Sequence, residues 1–195
     1  QATLESLANS DVKLVISTGR SKAILPADVL ALLEANVLDA IICMNGQYSF
    51  DNSGRISHYP LTNMQTAKIV ELCQASKLIH KFDSATHIAW SDENDRLREF
   101  NARTPNSIVD PCYYQTNEVY QCSVFFNNQQ QKMQEVDFSK DDLKLVHWHH
   151  VGADILPADA SKARGILDVC EYYGVDAHDC TSPLMTLHTV QRPSC

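Results

Sequence analysis

The 195-residue chain carries 16 Lys and Arg against 24 Asp and Glu, a formal net charge of −8, which excludes a partner held through a phosphate backbone, because that needs a basic face to displace counterions. At 44% hydrophobic and 21% charged residues, the composition is that of a globular chain and not a disordered one. Its longest apolar stretches, Ala40 to Met44 and Cys122 to Phe126 with Ser123 interrupting, are too short to cross a bilayer, so neither nucleic acid nor membrane is an expected partner.

In chain order, Leu4, Leu7 and Ala8 fall at helical spacing and suggest the tail of an amphipathic helix. Val12 to Ser17 reads as a strand buried on both faces that runs into the loop Thr18-Gly19-Arg20. Pro26 to Ala35 predicts a helix with proline in its first turn, and Ala40 to Met44 a second buried strand ending at Asn45-Gly46. Helix, strand, helix, strand with short connections is the grammar of a parallel α/β sheet. Tyr48 to His58 predicts a hairpin turning at Asp51-Asn52-Ser53-Gly54.

Texture changes at Pro60. Helical stretches (Thr66 to Ala75, Glu93 to Ala102) then alternate with strand-like ones (Thr86 to Trp90, Val119 to Phe126, Leu143 to His149). A third region starts at Ala153-Asp154-Ile155-Leu156-Pro157 and continues as a helix from Ser161 through Tyr173, stopped by Gly174. The segment 177–195 has no sustained periodicity, and no further buried strand follows Val175. The expected architecture is therefore an α/β, Rossmann-like parallel sheet core, residues 1–60 and 155–195, with an inserted α+β cap at 61–154.

Seven cysteines, at positions 43, 73, 112, 122, 170, 180 and 195, lie at least ten residues apart. No C-x-x-C pair supports a zinc ribbon or a thioredoxin site. Scattered thiols suit a reducing cytosol, so a cytoplasmic location is expected. Gln1 is not a methionine and nothing near it reads as a signal peptide; the true start is expected upstream or processed away.

Chemistry-bearing residues gather at strand ends. Thr18, Gly19 and Arg20 combine a hydroxyl, a glycine and a guanidinium where open α/β sheets bind ligands, although an ordinary strand-to-helix turn reads the same way. Asn45-Gly46 ends the neighbouring strand. Lys162 sits in the first turn of a helix, where a cation opposes the dipole; exposed lysines occur there, and the functional alternative is that it points at an anion at the helix start. In His147-Trp148-His149-His150, alternation puts His147 and His149 on one face, and a structural or substrate-edge role is favoured over a metal. The six glycines form neither G-x-G-x-x-G nor a P-loop.

Two runs, Val12 to Arg20 and Ile41 to Tyr48, resemble the haloacid dehalogenase superfamily of phosphatases, and in particular its Cof-like branch with a large inserted α/β cap. Glu118-Val119-Tyr120-Gln121 resembles part of that cap, and Trp148 through Ile166 the return into the core. The resemblance implies that Thr18 is the hydroxyl that hydrogen-bonds the transferring phosphoryl group. It implies that Lys162 is the cation that neutralises phosphoryl and nucleophile oxygens. Arg20, Asn45 and Gly46 would line the substrate entrance, and the cap residues His147 and His149 would help select a small-molecule phosphate ester. It also implies Mg²⁺ and an aspartyl-phosphate intermediate.

Two family motifs are absent. No D-x-D occurs in the chain, so the strand with the aspartate nucleophile would precede Gln1. No G-D-x-x-N-D follows Val175, so Mg²⁺ ligands are lacking; His178-Asp179-Cys180-Thr181 stands there instead. Met185 is encoded ATG and Thr186 begins AC, so a shifted frame contains an aspartate codon and allows Asn-Asp. The tail is thus expected to be an out-of-frame or mis-spliced reading, an idea that coding-DNA sequence without such a frame would end. Lacking those strands, the core is expected to aggregate, to need a partner chain or to belong to a longer molecule; a monodisperse monomer of these residues alone would contradict this. The expected activity is a phosphatase of small phosphorylated metabolites, inactive as this chain stands. The alternative is a non-catalytic relative that binds a phosphorylated ligand or a protein.

Overall fold

The computed structural model describes residues 12–93, 95, 106–126 and 138–181. The expected helix around Leu4 to Ala8, that over Glu93 to Ala102 apart from Glu93 and Asp95, and the tail after 181 lie outside these residues. Two sheets organise the described chain. The first has the order β1-β2-β3-β4, with β1 at Val15–Ser17, β2 at Ala40–Cys43, β3 at Tyr48–Phe50 and β4 at Arg55–His58. Its β1/β2 ladder is parallel and its other two ladders are antiparallel, so the expected parallel grammar holds for one pair among the described strands.

Apolar side chains at β2 explain the layering. Ala40, Ile41, Ile42 and Cys43 are all fully buried because helices cover both faces. Helix α1 (Ala27–Glu34), with Pro26 at its N-cap, packs Leu33, Val29 and Leu30 against Ile41 and Cys43. A helix from the far end of the chain covers the other face. This is α3 (Lys162–Tyr173), which packs Val169, Ile166 and Tyr173 against Ala40 and Ile42. The reading of Val12–Ser17 as buried on both faces is corrected: β1 is an edge among the described strands, and Val15 is 37% exposed. At the β3–β4 turn, the Asp51 carboxylate accepts from the backbone N–H groups of Ser53 and Gly54, closing the hairpin.

The second sheet has six strands in the order β7-β6-β5-β8-β10-β9. Here β5 is Ile79–Asp83, β6 is Ile88–Trp90, β7 is Ser107–Val109, β8 is Gln121–Phe125, β9 is Leu143–His149 and β10 is Gly152–Pro157. One face packs on α2 (Asn63–Ala75), where Ile69 and Cys73 meet Phe82, Cys122, Val124 and Ile155 in one apolar cluster. Helix α2 starts at a capping box between Thr62 and Gln65. The whole is an α/β fold: a core sheet with a β-rich cap inserted between β4 and α3.

Strand β10 belongs wholly to the second sheet, paired with β8 and β9. The chain returns to the first sheet after Pro157. Two crossing segments thus join the sheets, one leaving through Tyr59 and Pro60 and one returning through Ala158 to Ser161.

Candidate functional site

Three turns converge beside the parallel ladder. After β1, the Thr18 N–H donates to the Ile42 carbonyl at 2.8 Å, extending the pairing by one residue. The turn after β2 then folds back on it: Asn45 N–H donates to the Thr18 carbonyl at 3.2 Å and Met44 N–H to the Arg20 carbonyl at 3.0 Å. Met44, Asn45 and Gly46 all have positive φ, at 49°, 57° and 92°. Consecutive left-handed residues turn the chain sharply at a strand end, a strained arrangement held by its surroundings.

Glycines then dock the third turn. A Cβ on Gly46 would stand 2.0 Å from the Ser161 carbonyl oxygen and 3.3 Å from Lys162 Cα. A Cβ on Gly165 would stand 2.6 Å from Ile42 Cγ2 and 3.0 Å from Gly46 Cα. Only hydrogen at both positions allows the first turn of α3 to sit against the Asn45-Gly46 turn. This contact brings Lys162 to the group that contains Thr18, Gly19, Arg20, Asn45 and Gly46. Ser161 caps the helix by accepting from Arg164 N–H at 3.0 Å, and the other early N–H groups form the positive end of the helix dipole.

The electrostatics suit an anion. Thr18 Oγ1 accepts from Arg20 N–H at 3.2 Å, which leaves its own hydroxyl proton to donate. Burial pushes the neighbouring Cys43 thiol up to about 12, with Lys22 acting in the opposite direction, so Cys43 is protonated and is no nucleophile at neutral pH.

The second sheet turns a polar face toward these turns, by residues the sequence reading missed. Strand register pairs Asp83 with Gln121, and Lys81 and Asp154 with Ser123, so all share the face opposite α2. Lys81 and Asp83 are 7% and 1% exposed and joined at 2.5 Å. The Gln121 amide donates to Asp83 Oδ2 at 2.6 Å and to the Gly19 carbonyl at 3.3 Å, and its oxygen accepts from Asn45 Nδ2 at 3.4 Å. On the same face, Asp154 accepts from Ser123 Oγ at 2.8 Å and Trp148 Nε1 at 3.1 Å. Burial raises the Asp154 carboxyl to about 6, Asp83 adding to the rise and Lys81 opposing it. The signal that could have found them is the alternation in Ile79-His80-Lys81-Phe82-Asp83, a strand the sequence analysis does not include.

The two histidines are not brought into this group. His147 pairs with Ala153 and lies against Phe126, on the α2 side of the sheet. His149 is exposed on the edge strand, its ring 4.0 Å from that of His150. The described residues offer no site for the expected Mg²⁺ either. Among the described residues no group of three or more His, Cys, Asp or Glu could hold a metal, and Asp83 already has Lys81 and Gln121 as partners.

A cleft of about 500 Å³ lies where the crossing segments meet, lined by His58, Tyr59, Thr62, Asp142, Asp159 and Arg164 among others. None of Thr18, Gly19, Arg20, Asn45, Gly46 or Lys162 lines it. Arg164 closes its floor by stacking on the Tyr59 ring, 3.8 Å from the centroid, and by donating to Gln47 and Asp159. It is a joint between the sheets, and the candidate site is the group of turns. Among the described residues, no helix is long and apolar enough to cross a membrane.

Comparison with known proteins agrees with this fold. The family model for haloacid dehalogenase-like hydrolases matches residues 1–182. A Bacillus subtilis (strain 168) protein named "Putative phosphatase YkrA" is 25% identical over 180 residues, covering 91% of this chain and 67% of its own length. Among solved structures, the subclass IIB sugar phosphatase BT4131 superposes with a TM-score of 0.73 at 22% identity, covering 90% of this chain and 68% of that one. BT1666, a phosphatase from Bacteroides thetaiotaomicron, superposes with a TM-score of 0.72 at 22% identity, covering 90% and 65%. The chain spans about two thirds of the length of these relatives.

Proposed function

The chain belongs to the haloacid dehalogenase-like hydrolase family, and from that premise we propose that its converging turns bind the phosphoryl group of a small phosphorylated metabolite for hydrolysis. The observation that carries this is the contact of Gly46 with Ser161 and Lys162. It docks the first turn of α3 on the turn that hydrogen-bonds Thr18, which supports a lysine and a helix N-terminus serving a dianionic phosphoryl group. In this reading Thr18 donates its hydroxyl proton to one phosphoryl oxygen, and Lys162 neutralises charge on the others. Arg20 and Asn45 flank the entrance. The polar face of the cap, with Gln121 touching Gly19, reads the rest of the ester; that BT4131 is described as a sugar phosphatase favours a polyhydroxylated one.

An aspartyl-phosphate route with Mg²⁺ belongs to the same proposal, through groups other than the described residues. The test is hydrolysis of a generic phosphate ester, with and without Mg²⁺, by this chain and by a chain extended at both ends with relative-derived segments. Turnover by the extended chain alone supports an enzyme whose nucleophile lies outside this sequence. Phosphate binding without turnover in either supports the non-catalytic alternative, and neither binding nor turnover contradicts both.

A further inference from the structure

We propose that Cys170 and Cys180 are a redox modification site, forming a reversible intrachain disulfide that ties the segment after α3 back onto that helix. Their sulfurs are 3.2 Å apart, closer than unbonded sulfurs normally rest. The approach is built by the backbone and does not depend on the sulfurs. Gly174 takes the left-handed conformation at φ 67° and ends the helix. Val175 N–H then donates to the Cys170 carbonyl at 2.9 Å. Asp176 caps the next turn by accepting from His178 N–H at 2.9 Å, and Cys180 N–H donates to the Ala177 carbonyl at 3.2 Å. The chain therefore reverses and lays position 180 on position 170.

The two thiols divide the work. Cys180 is exposed, whereas Cys170 is 8% exposed on the inner side of α3. Burial pushes the Cys170 thiol up to about 11, and its hydrogen bond with Cys180 adds to this, so the exposed Cys180 is the thiol that meets an oxidant first. With hydrogen peroxide as oxidant, the Cys180 thiolate attacks one peroxide oxygen. The O–O bond breaks, and the departing hydroxide takes up the Cys180 proton as water. The Cys170 sulfur then attacks the sulfenic sulfur; the S–S bond forms, the S–O bond breaks, and the Cys170 proton leaves with that oxygen as a second water. Two thiols and one peroxide give one disulfide and two waters. In a reducing compartment the bond is transient, which suits a sensor more than a structural staple. Among the other described cysteines, 43, 73 and 122 are buried and 112 is exposed.

The full chain is treated with equimolar hydrogen peroxide, alkylated, cleaved after Glu171 and mapped by mass spectrometry without reduction. The expected product is a fragment pair joined through Cys170 and Cys180, two hydrogens lighter, released by dithiothreitol. The oxidised chain is expected to melt about 5 °C higher than the reduced one, and Cys180→Ser is expected to lose both effects. Pairing of Cys180 mainly with Cys195 or Cys112 would overturn the proposal. So would Cys180 oxidised to sulfinic acid while Cys170 remains free to alkylate, or no reaction at either thiol.

Discussion

Gln121 donates one amide hydrogen bond to Asp83 at 2.6 Å within the cap sheet, and the same nitrogen reaches the Gly19 carbonyl of the core at 3.3 Å. One side chain thus joins the buried Lys81–Asp83 pair to the turn that follows Thr18. The polar face of the cap and the candidate phosphoryl site are parts of one hydrogen-bonded network.

Gln121→Ala removes a donor to a carboxylate that is 1% exposed. It is expected to cost about 2 kcal/mol of stability, read as a lower urea midpoint. Amide exchange should also quicken around Gly19 and Asn45. Gln121→Glu places a second carboxylate beside Asp83 and is expected to cost more at pH 7 than at pH 5. An unchanged midpoint in both variants would remove the network from the account.

Gly46→Ala tests the close approach of α3. The added Cβ meets the Ser161 carbonyl at 2.0 Å, whereas at Gly174, also of positive φ, a Cβ meets nothing within 4 Å. Gly174→Ala is therefore expected to cost only the left-handed strain, about 1 kcal/mol. Gly46→Ala is expected to cost about 3 kcal/mol or more and to displace the helix start. Equal costs in chemical denaturation would show that the helix does not press on Gly46.

These two sites also show how far the sequence could be read. Thr18, Asn45, Gly46 and Lys162 stood out because strand ends, a turn dipeptide and a misplaced helical cation are local signals. The hairpin at 48–58, α1, α2 and the Gly174 stop were legible for the same reason. The cap sheet was less so. Strand β5 carries Lys81 and Asp83 inward as a pair, and pairing across the sheet, which no local pattern encodes, is what makes their burial tolerable. Strand β10 was read as a return into the core because its apolar run, Ile155-Leu156, has no period that names its sheet. His147 and His149 were grouped by alternation, but β9 is irregular where it pairs with Gly152 and Ala153, and alternation cannot say which face looks at the core.

Asp154 predicts a pH dependence. Its carboxyl is raised from an ordinary 3.8 to about 6 in the fold, so the folded state holds the proton more tightly than the unfolded one. Its contribution to stability is fully present below about pH 4 and is lost as pH rises through about 6. Asp154→Asn keeps an oxygen for Ser123 and Trp148 but has no charge to desolvate. Urea midpoints of the two proteins are expected to converge near pH 4 and to diverge above pH 6, with the variant the more stable. Parallel profiles would show that Asp154 does not titrate in this range.

Lys162 separates binding from folding. It is exposed in the first turn of α3, where its charge opposes the helix dipole. Lys162→Ala is expected to leave stability within about 0.5 kcal/mol and to weaken phosphate binding tenfold or more. Stability lost in step with binding would make the lysine structural.

The most direct test of the proposed phosphoryl site is titration of this chain and of its Lys162→Ala and Thr18→Val variants with inorganic phosphate, followed by calorimetry. Saturable binding by the parent chain that is lost in both variants, while their melting temperatures hold, is the predicted result. No saturable binding by the parent, or binding that both variants retain, would contradict it.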